Sequence, residues 1–255
     1  MLVEEQLSTT QPPSPRPSAA QHRAHVAAVI RRATSLWALT CAVARLVARS
    51  PVVREFLCLA LVAAVAAWFQ IEALRQGRLF YEEDTRIFYF PVLARLAELL
   101  KHGQLPLWSP WLFGGYPLFA DGEAGTLYPP HLLALRLWPV EQAFVYLRIF
   151  RFVLAGLCMV AFVRASGLGR FAALVAGLTF ALGGFSVAQL HHMNIANSSV
   201  WLPLILACIE LGLRTARRRR YAYFVCGGLA LGMMALAIHV QVVLMSLMAV
   251  GLYTV

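Results

Sequence analysis

Three consecutive carboxylates, Glu82, Glu83 and Asp84, stand directly before a run in which Phe88, Val92, Leu96 and Leu99 recur at spacings of four and three. That spacing lines one face of a helix. A carboxylate at its start has two uses. It can take a proton from a hydroxyl as a general base, or it can cap the helix, where the dipole favours negative charge. Asp84 is placed for either use, with Glu83 and Glu82 as substitutes. Pro91 should kink this helix or mark its true start, and Gly103 and Pro106 should end it.

The cations that could complement such a base lie downstream. Arg148 and Arg151 sit inside an apolar run, near the end closer to Asp84, and their three-residue spacing puts them on one helix face. They can hold a phosphate, or they can snorkel to headgroups or pair with Glu141. Arg86 and Arg136 are weaker candidates for the same role. His191, His192 and Asn194 close one apolar run, and His239 and Gln241 close another. These polar residues could converge with Asp84 on one surface. They carry no zinc-type spacing, so no metal ligands are assigned, and any need for a divalent ion is left open.

Between these groups runs Leu105-Pro106-Leu107-Trp108-Ser109-Pro110-Trp111-Leu112-Phe113-Gly114-Gly115-Tyr116-Pro117. The Gly-Gly pair permits a tight turn and the prolines prevent regular structure. Rings such as Trp108 suit a headgroup region, or could stack on a sugar or a lipid. Tyr128-Pro129-Pro130-His131 closes the segment before the next helix.

The elements that must position these residues are membrane spans. Sixty per cent of the 255 residues are hydrophobic and only 13% are charged, far from the balance of a soluble domain. Apolar runs occur at about 52–71, 143–163, 171–190, 198–213 and 222–238, and a last one from 242 is still open at Val255. A run of about 20 residues crosses about 30 Å of hydrocarbon. The expected fold is therefore all-α: a polytopic transmembrane bundle with a large first loop, 72–142, that contains an amphipathic helix. The open last run points to a fragment of a longer protein.

Charge sets the expected orientation. Seven arginines lie at or before position 54, at the entry to the first span, Arg164 and Arg170 bracket a turn, and Arg214 with 217–220 fills another. All three regions fall on one side if every run crosses once, which the positive-inside rule makes cytoplasmic. The N terminus is then cytoplasmic and 72–142 lies outside the cytoplasmic membrane. Residues 1–25, polar and proline-rich, form an expected disordered tail with no signal-peptide core. Residues 26–54 suit a helix in the cytoplasm or on an anionic membrane surface. The net charge of +10 is banded in this way rather than gathered on one face, so no nucleic-acid partner is expected. Cys41, Cys58, Cys158, Cys208 and Cys226 are scattered and behave as small hydrophobes.

Over residues 55–255 the chain resembles the YfhO family of bacterial membrane proteins. The resemblance rests on Asp84 with Phe90-Pro91, on Gly103-Gln104-Leu105-Pro106-Leu107-Trp108, on Gly114-Gly115-Tyr116-Pro117, and on Tyr128-Pro129-Pro130. It continues through His192-Met193-Asn194, Trp201-Leu202-Pro203-Leu204 and Glu210; the family's His-Pro-Gln stands as His239-Val240-Gln241. The family is similar to the GT-C glycosyltransferases. The resemblance implies transfer of a sugar from a polyprenyl-phosphate donor to a cell-envelope polymer, outside the cytoplasmic membrane, with an essential loop carboxylate that falls by position on Asp84 or its neighbour Glu83. It implies membrane lipids and the lipid-linked sugar as partners. Substrate-binding residues are then expected among Arg86, Trp108, His131, Arg148, Arg151, His192, Asn194, His239 and Gln241. Two other classes compete. A transporter or flippase expects ionisable groups at mid-depth in broken helices, and a non-catalytic membrane assembly protein expects no working base.

Overall fold

The computed structural model describes residues 50–75 and 84–254. The expected tail at 1–25, most of the surface helix at 26–54, and Glu82 and Glu83 lie outside the described residues. The chain divides into two units, Met1–Arg54 and Glu55–Val255, and the site lies in the second.

Among the described residues the regular structure is helical: α1 (Pro51–Arg75), a π-helical turn (Thr85–Tyr89), α2 (Phe90–Lys101), α3 (Pro129–Leu137), α4 (Val140–Ala165), α5 (Arg170–Leu182), α6 (Gly184–Ala188), α7 (Met193–Ser199), α8 (Leu202–Arg214), α9 (Arg217–Leu236) and α10 (Val240–Thr254). Among the described residues four segments are long and apolar enough to cross a membrane: Pro51–Ile71, Val140–Ala165, Arg170–Ala188 and Met193–Arg214. The fourth starts at Met193, five residues before the apolar run itself. The helix is opened by the polar stretch Met193–Ser199, whose Asn194, Asn197 and Ser198 are buried against protein. Hydropathy registers composition and not this internal burial. The fifth and sixth runs form α9 and α10, and α10 is 15 residues long.

Small residues let the spans approach closely, as lipid-embedded helices require. A Cβ at Gly156 of α4 would stand 2.5 Å from Val62 of α1, and one at Gly177 of α5 would stand 3.0 Å from the Gly156 carbonyl. Around this contact pack Val62, Val160, Val163 and Ala173. A larger core joins α4, α5, α8 and α9 through Phe152, Ala155, Ala181, Ile205, Ala230 and Met234. Large apolar side chains elsewhere on these helices stay uncovered, among them Phe56 and Trp68 of α1, Phe171 of α5 and Leu252 of α10. So much exposed apolar surface suits lipid and not water.

Contacts define two ends of the bundle. At the arginine end, Glu55 of α1 pairs with Arg164 at 2.5 Å and Arg170 at 3.0 Å. Arg214 donates to the Ala165 carbonyl and pairs with Glu210, which also accepts from Tyr253 of α10 at 2.9 Å. At the other, loop end, the π-helical turn, α2 and α3 pack on the first turns of α4 and on Met193, through Tyr89, Leu93, Leu96, Ala134, Leu135, Phe144 and Leu147.

Proline sets the start of α2. Pro91 is the second residue of α2, which follows directly on the π-helical turn, so it stands where α-helical register begins and not where the helical segment starts. At the other end, Gly103 adopts φ +66°. Gln104 N donates to the Leu99 carbonyl and Gly103 N to that of Leu100, which together form a Schellman stop. The apolar face of α2 is wider than the spacing predicted. Leu93 and Leu96 face α3 and α4, while Val92 and Leu99 face Leu118 and Ala124 of the following loop.

Candidate functional site

Asp84 does not act as a helix cap: its side chain makes no capping hydrogen bond. The carboxylate turns instead toward His192, with Oδ2 3.2 Å from Nε2. The local geometry explains this. Asp84 precedes a π-helical turn, where residues five apart fall nearly one above the other. Asp84 and Tyr89 therefore address the same neighbour. Tyr89 donates to Asn194 Oδ1 at 2.6 Å, two residues beyond His192. One hydrogen bond and one carboxylate–imidazole contact thus join the π-helical turn to the junction between α6 and α7. Thr85 and Tyr89 are buried while Asp84 is half exposed, so the turn is anchored and its carboxylate is accessible.

The junction follows from two breaks in the chain. Helix α5 stops at Gly183, where a Cβ would lie 2.4 Å from the Thr179 carbonyl. Ser186 Oγ then donates to the freed Phe180 carbonyl at 2.7 Å. The short α6 carries Gln189 to its end. Gln189 Oε1 lies 2.9 Å from His192 Nδ1. A carboxamide oxygen can only accept, so Nδ1 carries hydrogen and Nε2 is the atom that faces Asp84. His191 lies beside His192, ring centroids 4.1 Å apart.

Beneath this surface lies a buried polar layer. Asn194 Oδ1 also accepts from Ile195 N at 2.8 Å. His131 is buried; its Nδ1 lies 3.1 Å from the Gly125 carbonyl and its Nε2 3.0 Å from Asn197 Nδ2. Both partners fit one neutral tautomer, with Nδ1–H donating and Nε2 accepting. Burial pushes the His131 pKa down to about 4, against a smaller upward pull from its bonds to the Gly125 and Ala124 carbonyls. Tyr128 packs edge-on to His131, with centroids 4.9 Å apart, and accepts from Trp201 Nε1 at 3.1 Å. Burial raises the Tyr89 phenol well above its ordinary value, with Glu123 the next cause.

Arg148 and Arg151 point into the bundle. They are only 5% and 4% exposed, so neither snorkels to headgroups. Both line a cleft with Phe144, Leu147, Leu190, Met193 and Asn197, one residue away from Gln189 and His192 along the chain. Arg151 also lines a second cleft with Phe180, Ser186 and Ser199, and its Nη2 is buried without a hydrogen-bond partner among the described residues. A buried guanidinium in that state favours a site for an anion.

The remaining expected residues lie elsewhere. Arg86 is exposed on the π-helical turn. Trp108 is half exposed, its indole laid over Gly115, where a Cβ would come within 2.7 Å. Gly115 has φ +123°, and Ser109 and Tyr116 exchange two backbone hydrogen bonds across the turn, so the aromatic segment is an ordered hairpin. His239 Nδ1 accepts from Val242 N at 3.2 Å and so caps α10, while Gln241 is exposed. The structure thus unites Asp84 with His192, sets Asn194 beside them through Tyr89, and places Arg148 and Arg151 below. Sequence reasoning passed over Gln189, Tyr89 and Asn197; no spacing marks them, because each partner is distant in the chain. Among the described residues no three His, Cys, Asp or Glu side chains are grouped to hold a metal.

Residues 130–231 match the family described as bacterial membrane protein YfhO. No curated protein and no solved structure matches the chain.

Proposed function

With residues 130–231 carrying a YfhO-family segment, we propose that this membrane protein is a GT-C-like glycosyltransferase. It transfers a sugar from a polyprenyl-phosphate donor to a cell-envelope acceptor on the extracytoplasmic side of the cytoplasmic membrane. The observation that carries the proposal is the Asp84–His192 pair. A half-exposed carboxylate that caps nothing is held 3.2 Å from an imidazole at the loop end of the bundle. Asp84 takes the proton of the acceptor hydroxyl, whose oxygen attacks the anomeric carbon as the bond to phosphate breaks. The negative charge gathered on the phosphate needs cations or donors in a site shielded from water, and Arg148 and Arg151 supply them.

The test is Asp84→Asn, which keeps the shape and removes the base. Surface glycosylation is expected to fall at least about 100-fold, the span of general base catalysis, at unchanged protein level in the membrane. Full glycosylation in that variant would end the assignment of Asp84.

One observation favours a second reading. Buried arginines beside interrupted helices, with breaks at Gly183 and between α9 and α10, are also the pattern of a transporter's anion site. Uptake or export of an anion that depends on Arg151 and is indifferent to Asp84→Asn would select that reading.

A further inference from the structure

The bonding of His192 goes further than the presence of a base. Its two ring nitrogens face two oxygens: Gln189 Oε1 at Nδ1, 2.9 Å away, and Asp84 Oδ2 at Nε2, 3.2 Å away. Gln189 is an obligate acceptor at that oxygen, so it holds hydrogen on Nδ1 and leaves Nε2 as the ring nitrogen that can exchange a proton with Asp84. Gln189 lies at the end of α6 and His192 directly before α7. The Tyr89–Asn194 bond fixes the same junction against the π-helical turn from below. The arrangement is an oriented imidazole behind a carboxylate, with a third group setting the tautomer.

We propose that Gln189 and His192 act through Asp84: Gln189 fixes the Nδ1–H tautomer of His192, and His192 Nε2 receives the proton that Asp84 removes from the acceptor. This rests on the transferase reading. In the step, the acceptor O–H proton passes to Asp84, the oxygen's electron pair forms the bond to the anomeric carbon, and the carbon–oxygen bond to phosphate breaks with its pair leaving on the phosphate. The carboxyl proton then moves to His192 Nε2, and the product is a carboxylate beside an imidazolium. That pairing is stabilised by opposite charge, so the base is restored, and the partly exposed imidazolium gives its proton to water before the next turnover. Other charged groups near this locus are His191, which packs on the His192 ring, Arg86 on the π-helical turn, and Asp121 and Glu123, whose charges reach Tyr89.

Two variants at position 189 separate positioning from folding. Gln189→Glu keeps an oxygen acceptor for Nδ1–H, and Gln189→Leu keeps the volume and removes the acceptor. Histidine-selective 15N NMR of the purified protein in detergent micelles reads the tautomer without any substrate, with the signal assigned by His192→Gln. The wild type and Gln189→Glu are expected to show Nδ1–H; Gln189→Leu is expected to show a mixture. Surface glycosylation is expected to drop at least about 10-fold in Gln189→Leu and His192→Gln, part of the span of general acid–base catalysis, and to stay near the wild-type level in Gln189→Glu. An unchanged tautomer in Gln189→Leu overturns the proposal. So does unchanged glycosylation in His192→Gln when Asp84→Asn abolishes it, an outcome that leaves the transferase reading standing. Glycosylation intact in Asp84→Asn instead ends that reading, while the tautomer measurement still decides the role of Gln189.

Discussion

His131 illustrates how a residue type can suggest binding while its surroundings assign it to the scaffold. Its neutral ring bridges the Gly125 carbonyl and Asn197, holding the segment before α3 against α7. The folded pKa of about 4 lies below the ordinary value of about 6.5, so between these values the unfolded chain binds the extra proton. The contribution of His131 to stability is therefore complete above about pH 6.5 and is lost as pH falls toward 4. A displacement of that size corresponds to about 3 kcal/mol. Thermal unfolding in detergent should show the wild type losing more stability between pH 7.5 and pH 5 than His131→Gln does; equal losses would contradict a buried neutral imidazole. Asp84 is the converse case. Sequence reasoning left it between cap and base, because both uses need the same residue at the same place. Only the direction of its carboxylate, toward His192 and away from the helix amides, distinguishes them.

At the scale of elements, periodicity located helices better than it located their interruptions. The pattern from Phe88 to Leu99 does form a helix, yet its first turn is π-helical, and the change from four to five residues per hydrogen bond is what turns Asp84 and Tyr89 the same way. The run at 171–190 looks continuous by hydropathy but breaks at Gly183, because apolar composition is indifferent to a backbone break. Contacts such as Tyr89–Asn194 join residues 105 positions apart, and no local pattern encodes such a pair. Glycines in spans are equally silent in sequence. Gly177 meets the Gly156 carbonyl across the α4–α5 contact, and a Cβ there would also stand 2.7 Å from Val160. Gly177→Val should overpack this contact at a cost of about 1–3 kcal/mol, seen as a lower yield of monodisperse protein and a lower melting temperature. Gly232, with nothing near its Cβ position, should tolerate alanine, and equal effects at both sites would argue against close packing of α4 on α5.

For the whole molecule, the banded charge made the multi-pass architecture legible, and the contacts explain why. Arg164, Arg170 and Arg214 lie at one end of the bundle, tied to Glu55, Glu210 and the Ala165 carbonyl. Asp84, Asp121, Glu123 and His192 lie at the other, where Asp84 faces His192 and the charges of Asp121 and Glu123 reach Tyr89. A charge asymmetry of this kind sets orientation during insertion, so the arginine end should face the cytoplasm and the Asp84 end should face outward, the side on which the proposed transferase would act. The assignment can be tested without knowing any substrate. Both Glu123 and Arg219 are exposed, so a single cysteine at either position, in a chain with its own cysteines replaced, gives a directly readable label site. In intact cells a membrane-impermeant maleimide should modify Glu123→Cys and spare Arg219→Cys; after permeabilisation it should modify both. Labelling of Arg219→Cys alone in intact cells would invert the topology and place the Asp84–His192 pair in the cytoplasm. An externally acting transferase would then be ruled out, whatever the geometry of its base.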